Sequence, residues 1–509
     1  MLPPEERLEG AQLHRYIGDK LYWVLHAPRQ TGKTTFLQSW MRQINAGTEA
    51  IACYVSVERC QGIAEPERAM PNICKAIQEY AKFAGLPIPE LKTAASSSML
   101  SDVLINWAEL VAPKPLVVLF DEVDVLVDET LISFLRQLRG GFAGRGAGIF
   151  PISISLVGMR DLKDYITAAK GGMAPNPGSP FNVKSDSAKI TNFQKEDIAR
   201  LFALRTSETG QQITQEALDY VYQQSGGQPW IVNSLFQRAT MRVLDEANTE
   251  TVTVEHLEEA REQMVQARET HLDALAYRLE DPRIRTVMET LLTGEADLRL
   301  AQGEAFRICL DLGLVNIEKG TPQVANPIYR EVLAREITYG AQLAIPEPEW
   351  RWELPDGTLD MDALLKEFQS FWQNNSEVWE QQSDYTEAFP HLLLMAFLQR
   401  VTNGLGRIER EYAAGRGRMD LAVEYHGRWH IIEIKLLRQG KRFETLVEEG
   451  ARQTLGYRER LSKSPGVRPS ADGLPAQCYL VIFDRRAEKP GWPERLKWIA
   501  GDDVTVVGC

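Results

Sequence analysis

Residues 27–34 read Ala27-Pro28-Arg29-Gln30-Thr31-Gly32-Lys33-Thr34, directly after the apolar run Tyr22-Trp23-Val24-Leu25-His26. Thr35-Phe36-Leu37-Gln38-Ser39-Trp40-Met41 follow, with apolar residues at helical spacing. A buried strand, a short loop, Gly-Lys-Thr and a helix together turn backbone N–H groups toward phosphate oxygens at a helix N-terminus. Lys33 is expected to reach the terminal phosphates and the Thr34 hydroxyl to hold Mg²⁺, with Arg29, Gln30, Thr31, Gly32 and Thr35 completing the loop around the bound group. Ala27 stands where the first glycine of such loops is usual.

A second element supports the first. Leu116-Val117-Val118-Leu119-Phe120 is an apolar run ending in Asp121-Glu122-Val123-Asp124. Asp121 at the strand's C-terminal edge suits a ligand to Mg²⁺ or its water, and Glu122 is placed to polarise an attacking water. The two elements in this order predict a P-loop ATPase using ATP and Mg²⁺.

Working outward, Ala50-Ile-Ala-Cys-Tyr-Val-Ser-Val and Ile152-Ser-Ile-Ser-Leu-Val are further near-continuous apolar runs of strand length. Such runs fit strands buried on both faces of a parallel sheet, and the segments between them have helical spacing, so the fold class is α/β. Residues 166–189 are rich in Gly, Pro, Ser and Asn and read as a long loop, and 190–265 as helical. Residues 268–340 read as helices followed by short strands near Leu314 and Gln323, and Ile345-Pro-Glu-Pro-Glu-Trp350 as a linker.

These motifs, with Ser225-Gly-Gly-Gln-Pro229 in the helical region, resemble the AAA-like and STAND group of P-loop ATPases. The resemblance implies an ATPase core over 1–190, a helical lid over 191–267, a winged helix over 268–340 and a linker over 341–356. It also places Gln228 and Pro229 at the base pocket and implies a homo-oligomer. The other reading of the Gly-Gln-Pro turn is a helix C-cap followed by proline.

The remaining segment, 357–509, carries a separate constellation. Gly417-Arg-Met-Asp420-Leu-Ala-Val, a turn at His426-Gly427 and Trp429-His-Ile-Ile-Glu433-Ile-Lys435 predict two strands with Asp420 and Glu433 on neighbours. Glu433 and Lys435 are two apart and share a face. Two carboxylates beside an ammonium suit a Mg²⁺ that acidifies a water. Gln453 and Tyr457 are spaced to share one helix face. This pattern resembles the PD-(D/E)XK, restriction-endonuclease-like superfamily and its RecB-like branch, with Met419 where the name-giving proline would stand. The resemblance implies that Glu387, which leads an apolar helix, joins Asp420 and Glu433 as a metal ligand, that Lys435, Gln453 and Tyr457 complete the catalytic set, and that Mn²⁺ substitutes for Mg²⁺.

Composition sets limits on these readings. The chain has 509 residues, 44% hydrophobic and 25% charged, with a formal net charge of −13. That charge excludes a protein that coats nucleic acid over its whole surface. Residues 391–500, however, hold 20 Lys+Arg against 13 Asp+Glu in a chain with 57 against 70. Arg416, Arg418, Arg438, Lys441, Arg442, Arg452 and Arg458 cluster there in sequence and are expected to meet phosphates. The six cysteines lie far apart, no apolar stretch is long enough to span a membrane, and the N-terminal residues lack a signal-peptide pattern, so a cytoplasmic protein is expected. Together these features predict an ATP-binding and ATP-hydrolysing, Mg²⁺-dependent DNA nuclease controlled by its ATPase module, with resemblance pointing to defence against phage or mobile DNA. The alternative is a signalling or scaffold ATPase whose C-terminal fold binds nucleic acid or a partner without cleavage.

Overall fold

The computed structural model describes residues 4–9, 13–92, 95–159, 186–244, 249–267, 270–292, 300–344, 352–380, 389–402, 406–414, 417–461, 476–486 and 490–509. The chain forms two compact units, one of Met1–Arg278 with Asp297–Glu331 and one of Leu279–Ala296 with Val332–Cys509.

The first unit is built on strands β1 (Leu8–Glu9), β2 (Tyr22–His26), β3 (Ile51–Ser56), β4 (Leu116–Asp121), β5 (Ser153–Gly158) and β6 (Asp186–Ile190). Their order across the sheet is β1-β6-β2-β5-β4-β3. The five strands from β6 to β3 run parallel, and β1 pairs antiparallel with β6 at the edge. Alternate residues of each strand enter different cores. Tyr22, Val24, Cys53, Val55, Val118 and Phe120 face one, with helices Pro66–Phe83, Met99–Val111 and Asp128–Gly141. Trp23, Leu25, Ala52, Tyr54, Val117 and Leu119 face the other, with helices Leu13–Gly18 and Lys33–Ala46. Burial on both faces explains why these strands read as unbroken apolar runs. One strand, β5, separates β2, which feeds the 27–34 loop, from β4, which ends in Asp121, and both functional segments leave the sheet at its C-terminal edge. This is a P-loop NTPase α/β fold.

Residues 195–278 form helices Lys195–Thr209, Gln215–Ser225, Pro229–Arg238, Val254–Gln266 and Thr270–Arg278. Thr214 caps the second by accepting a hydrogen bond from the Ala217 N–H, and Gly226 ends it at φ 56. Within 304–331, helix Glu304–Asp311 leads into an antiparallel hairpin of β7 (Val315–Glu318) and β8 (Thr321–Val324), and a further helix starts at Pro327. The turn before β7 leans on the nucleotide-type loop: at Gly313 (φ +72) a Cβ would come within 2.7 Å of the Pro28 ring. His271 and Tyr329 share a 2.6 Å hydrogen bond, and the His271 ring lies 4.7 Å from that of Trp230.

The second unit holds a sheet ordered β13-β14-β12-β11-β10-β9, from β9 (Gly406–Ala414), β10 (Gly417–Tyr425), β11 (Arg428–Leu437), β12 (Gln477–Asp484), β13 (Trp498–Ile499) and β14 (Thr505–Gly508). The β9-β10-β11 meander is antiparallel, whereas β11, β12 and β14 are parallel. His426 (φ 47) and Gly427 (φ 81) make the two-residue turn between β10 and β11, both in the left-handed region that such hairpin turns require. Helix Phe443–Leu461 makes the crossover to β12 and buries Leu446, Tyr457 and Leu461 against Ala422, Ile431, Leu480 and Ile482. A second group of rings contains Phe368, Phe397, Phe483 and the fully buried Trp372, whose ring lies 4.8 Å from Phe483. Trp372 therefore belongs to this unit's interior. No described helix is long and apolar enough to cross a membrane.

Candidate functional site

The 27–34 loop ends on Gly32, whose φ of 87 allows the chain to turn into the helix that starts at Lys33. Gln30 is also left-handed, at φ 56. Behind the loop, the Arg7 guanidinium donates to the Thr31 carbonyl and to the Thr191 carbonyl, both at 2.8 Å, and stacks over Phe193 at 4.6 Å. Burial lowers its pKa to about 10, so the group stays charged at neutral pH. Arg7 was not evident from the loop sequence, because its approach depends on β1 pairing with β6.

In front of the loop lies a cavity of about 400 Å³ lined by Arg29, Gln30, Gly32, Lys33, Thr34, Glu58, Gln61, Asp121, Glu122, Asp124, Val125 and Met159. Six of the residues singled out from sequence thus meet in one place with Arg29. The Lys33 ammonium donates to the carbonyls of Ala27 and Pro28, each at 2.8 Å. Burial lowers its pKa, and the carboxylates of Asp124, Asp121 and Glu122 oppose that shift. The Thr34 hydroxyl donates to Asp121 Oδ2 at 2.7 Å, and the Tyr54 hydroxyl donates to the same oxygen at 3.0 Å. Asp121 is itself buried. A hydroxyl and a carboxylate oxygen in contact are the hard donor pair that a Mg²⁺ ion prefers. Thr31 is buried and turned inward, its hydroxyl donating to the Pro28 carbonyl at 2.8 Å, and Thr35 is exposed on the helix and does not line the cavity.

Glu122 has φ 60, a left-handed conformation for a residue with a side chain and a form of strain that collects at functional positions. Its Oε2 accepts from the Ser56 hydroxyl at 2.7 Å, and burial raises its pKa above the ordinary carboxylate value. Tyr54 and Ser56 lie on the strand next to Asp121, in the register Ser56 to Asp121, which the sequence does not reveal until strand order is known.

The Gly226-Gly227-Gln228-Pro229 turn is both a C-cap and a helix start. Gln228 caps helix Pro229–Arg238 by accepting the Ile231 N–H at 2.7 Å, and its amide nitrogen lies 3.5 Å from the Gln30 carbonyl. Pro229 is buried at the first helical position. The Arg145 guanidinium donates to the Lys20 and Phe142 carbonyls and stacks on the Phe142 ring.

In the second unit, Leu421 of β10 pairs with Ile432 of β11, so Asp420 and Glu433 each stand one residue further toward the same end of the pair. The Asp420 side chain, Glu387 and the side chains of Arg416 and Arg418 lie outside the described residues. Glu433 is buried, and Lys435 donates to its Oε1 at 2.5 Å. Tyr457 is buried in the apolar core, and Gln453, one turn earlier, is exposed. A residue missed by sequence reasoning also stands here. His391, on helix Phe389–Thr402, has an enclosed Nε2, and burial together with the nearby Lys435 ammonium lowers its pKa to about 4. Among the described residues no group of three metal-ligating side chains is assembled.

No family model and no curated protein matches the chain. Solved structures that align with it include the Walker-type ATPase PABY2304 of Pyrococcus abyssi, at 14% identity over 63% of this chain and 93% of that one, with a TM-score of 0.45. The Aeropyrum pernix ORC2 protein aligns at 14% identity over 65% and 92%, with a TM-score of 0.39, and Cdc6p from Pyrobaculum aerophilum at 11% over 64% and 92%, with 0.37. At such similarities the assignment of the first unit to the P-loop NTPase fold rests on its own strand order and loop geometry.

Proposed function

We propose that the first unit binds ATP with Mg²⁺ and hydrolyses it. The observation that carries this reading is the Thr34 hydroxyl in contact with buried Asp121, beside Lys33 and Glu122 in one cavity. Lys33 would exchange its two carbonyl partners for phosphate oxygens, and loop N–H groups would bind the remainder. Thr34 and Asp121 would hold the divalent cation, which draws negative charge from the phosphates when bound. Glu122, released from Ser56, would accept a proton from the attacking water, the role its raised pKa favours. Gln228 and Pro229 would border the base, and residues 304–331 would serve as part of a winged helix. A homo-oligomer accords with this group of ATPases. Direct binding of ATP that Lys33→Ala abolishes, and turnover that Glu122→Gln abolishes while binding persists, test the reading. Turnover at the wild-type rate in Glu122→Gln would refute it.

For the second unit we propose metal-dependent DNA cleavage controlled by the nucleotide state of the first. The Glu433–Lys435 contact, His391 beside it, and the strand register that brings Asp420 toward Glu433 support this reading. Asp420, Glu433 and either Glu387 or His391 would hold Mg²⁺ or Mn²⁺, with Lys435 offsetting charge at the attacked phosphate. A non-cleaving DNA- or partner-binding domain is the other outcome. Incubating plasmid, linear and single-stranded DNA with Mg²⁺ or Mn²⁺, with ATP, ADP or neither, separates the two. Intact DNA in every condition, or unaltered cleavage by Glu433→Ala, would refute the cleavage proposal.

A further inference from the structure

The carboxylate of Asp121 is held at both oxygens. Its Oδ1 accepts the Glu122 N–H at 2.9 Å, and its Oδ2 accepts two hydroxyls, that of Thr34 at 2.7 Å and that of Tyr54 at 3.0 Å. The two hydroxyls come from different parts of the fold. Thr34 sits on the helix that the phosphate loop enters and lines the cavity, so its hydroxyl is shared with whatever the cavity holds. Tyr54 belongs to β3 and stands outside the cavity lining. It pairs with Leu119, two residues before Asp121 on β4, and shares that residue's face of the sheet, from which the phenol reaches diagonally to the carboxylate. The Tyr54 ring is buried, and the Tyr80 ring meets it edge-on with centroids 5.3 Å apart, so close packing fixes where the phenol points.

We infer that Tyr54 is a positioning residue of the nucleotide site, whose hydroxyl sets the direction in which Asp121 presents its carboxylate to the divalent cation and, through Oδ1, steadies the left-handed backbone of Glu122. The inference rests on reading the cavity as a nucleotide site. An aspartate carboxylate turns about two single bonds unless its oxygens are tied. With the phenol removed, Oδ2 is left to the Thr34 hydroxyl, which the cation also engages. The carboxylate can then swing, and the Glu122 N–H bonded to Oδ1 loses its fixed acceptor. Lys33 is held instead by the Ala27 and Pro28 carbonyls, so phosphate binding without a cation should not sense the change.

The test removes the hydroxyl and keeps the ring. The full chain, as wild type, Tyr54→Phe and Tyr22→Phe, is titrated calorimetrically with ATP in EDTA and in Mg²⁺. Binding of Mn²⁺ to the ATP complex is followed by electron paramagnetic resonance, and ATP turnover is measured against Mg²⁺ concentration. Tyr22→Phe is the control, because it deletes a buried hydroxyl of the same sheet that faces the other core and donates to the Pro151 carbonyl at 2.9 Å. Tyr54→Phe should bind ATP in EDTA within about twofold of wild type. It should hold Mn²⁺ about tenfold more weakly and need about tenfold more Mg²⁺ for half-maximal turnover, as the loss of one hydrogen bond to a charged acceptor implies. Tyr22→Phe should match wild type in each measurement. Three results each overturn the inference: wild-type Mn²⁺ affinity in Tyr54→Phe, an equal shift in Tyr22→Phe, or ATP binding in EDTA weakened as much as Mn²⁺ binding. Wild type that binds no ATP in either condition instead overturns the nucleotide reading beneath it.

Discussion

Replacing Gly227 by alanine probes how the turn at 225–229 is held against the phosphate loop. Gly227 has φ +71, and a Cβ there would come 1.9 Å from the Phe193 carbonyl oxygen and 3.0 Å from its carbon. That carbonyl cannot move far, since the Phe193 N–H donates to the Gly227 carbonyl at 2.8 Å. The left-handed conformation costs a residue with a side chain about 1 to 2 kcal/mol. Relieving the collision by breaking the hydrogen bond adds about 0.5 to 1.5 kcal/mol, with further loss from the displaced Gln228 cap of about 1 kcal/mol. The total is about 2.5 to 4.5 kcal/mol. Gly62 is a matched control, also at φ +71 but with nothing within 4 Å of its Cβ position, so Gly62→Ala should cost only the conformational part, about 1 to 2 kcal/mol. Urea unfolding and hydrogen exchange across 215–238 measure both variants. Because Gln228 faces the Gln30 carbonyl, Gly227→Ala should also weaken ATP binding, whereas Gly62→Ala should leave it unchanged. Equal costs for the two variants, with exchange in 215–238 unaltered, would refute the packing argument.

Other outcomes follow from the same structure. Ser56→Ala frees Glu122 from its hydroxyl partner and should change the rate of ATP turnover at least threefold with ATP affinity held within twofold, as steady-state kinetics would reveal. Trp372→Ala empties the centre of the ring cluster in the second unit and should cost about 3 to 5 kcal/mol, read as a lower denaturation midpoint of that unit. His271, whose pKa burial depresses to about 4 against an unfolded value near 6.5, stays neutral when folded, so the unfolded chain binds the extra proton between those values. Its contribution is complete above about pH 6.5 and is lost as pH falls to about 4, on the order of 3 kcal/mol; unfolding of the first unit followed from pH 7 to 4 should show that slope, and His271→Asn should flatten it.

The strands of the first unit were readable because burial on both faces leaves continuous apolar runs such as Leu116–Phe120, and the phosphate loop because its glycine, lysine and threonine act through local backbone geometry. Contacts that depend on tertiary order were not readable. Ser56 and Tyr54 reach Glu122 and Asp121 only because β3 lies beside β4, and Asp124 enters the cavity only because Glu122 adopts a left-handed turn. In the second unit the hairpin at His426-Gly427 was legible from its turn residues, and the Glu433–Lys435 pair from the period of two along a strand. His391 was not, since its place beside Lys435 depends on how a helix packs on the sheet. Gln453 and Tyr457, spaced as a pair, differ in environment, because only the tyrosine position of helix Phe443–Leu461 turns inward.

The proline ring at position 28 rests against the bare backbone of Gly313, and the carbonyl of that same proline is one of two that hold Lys33. One ring thus touches both the anchor of Lys33 and the turn at 312–314, and Pro28→Ala should loosen that turn, read as faster hydrogen exchange at 312–324.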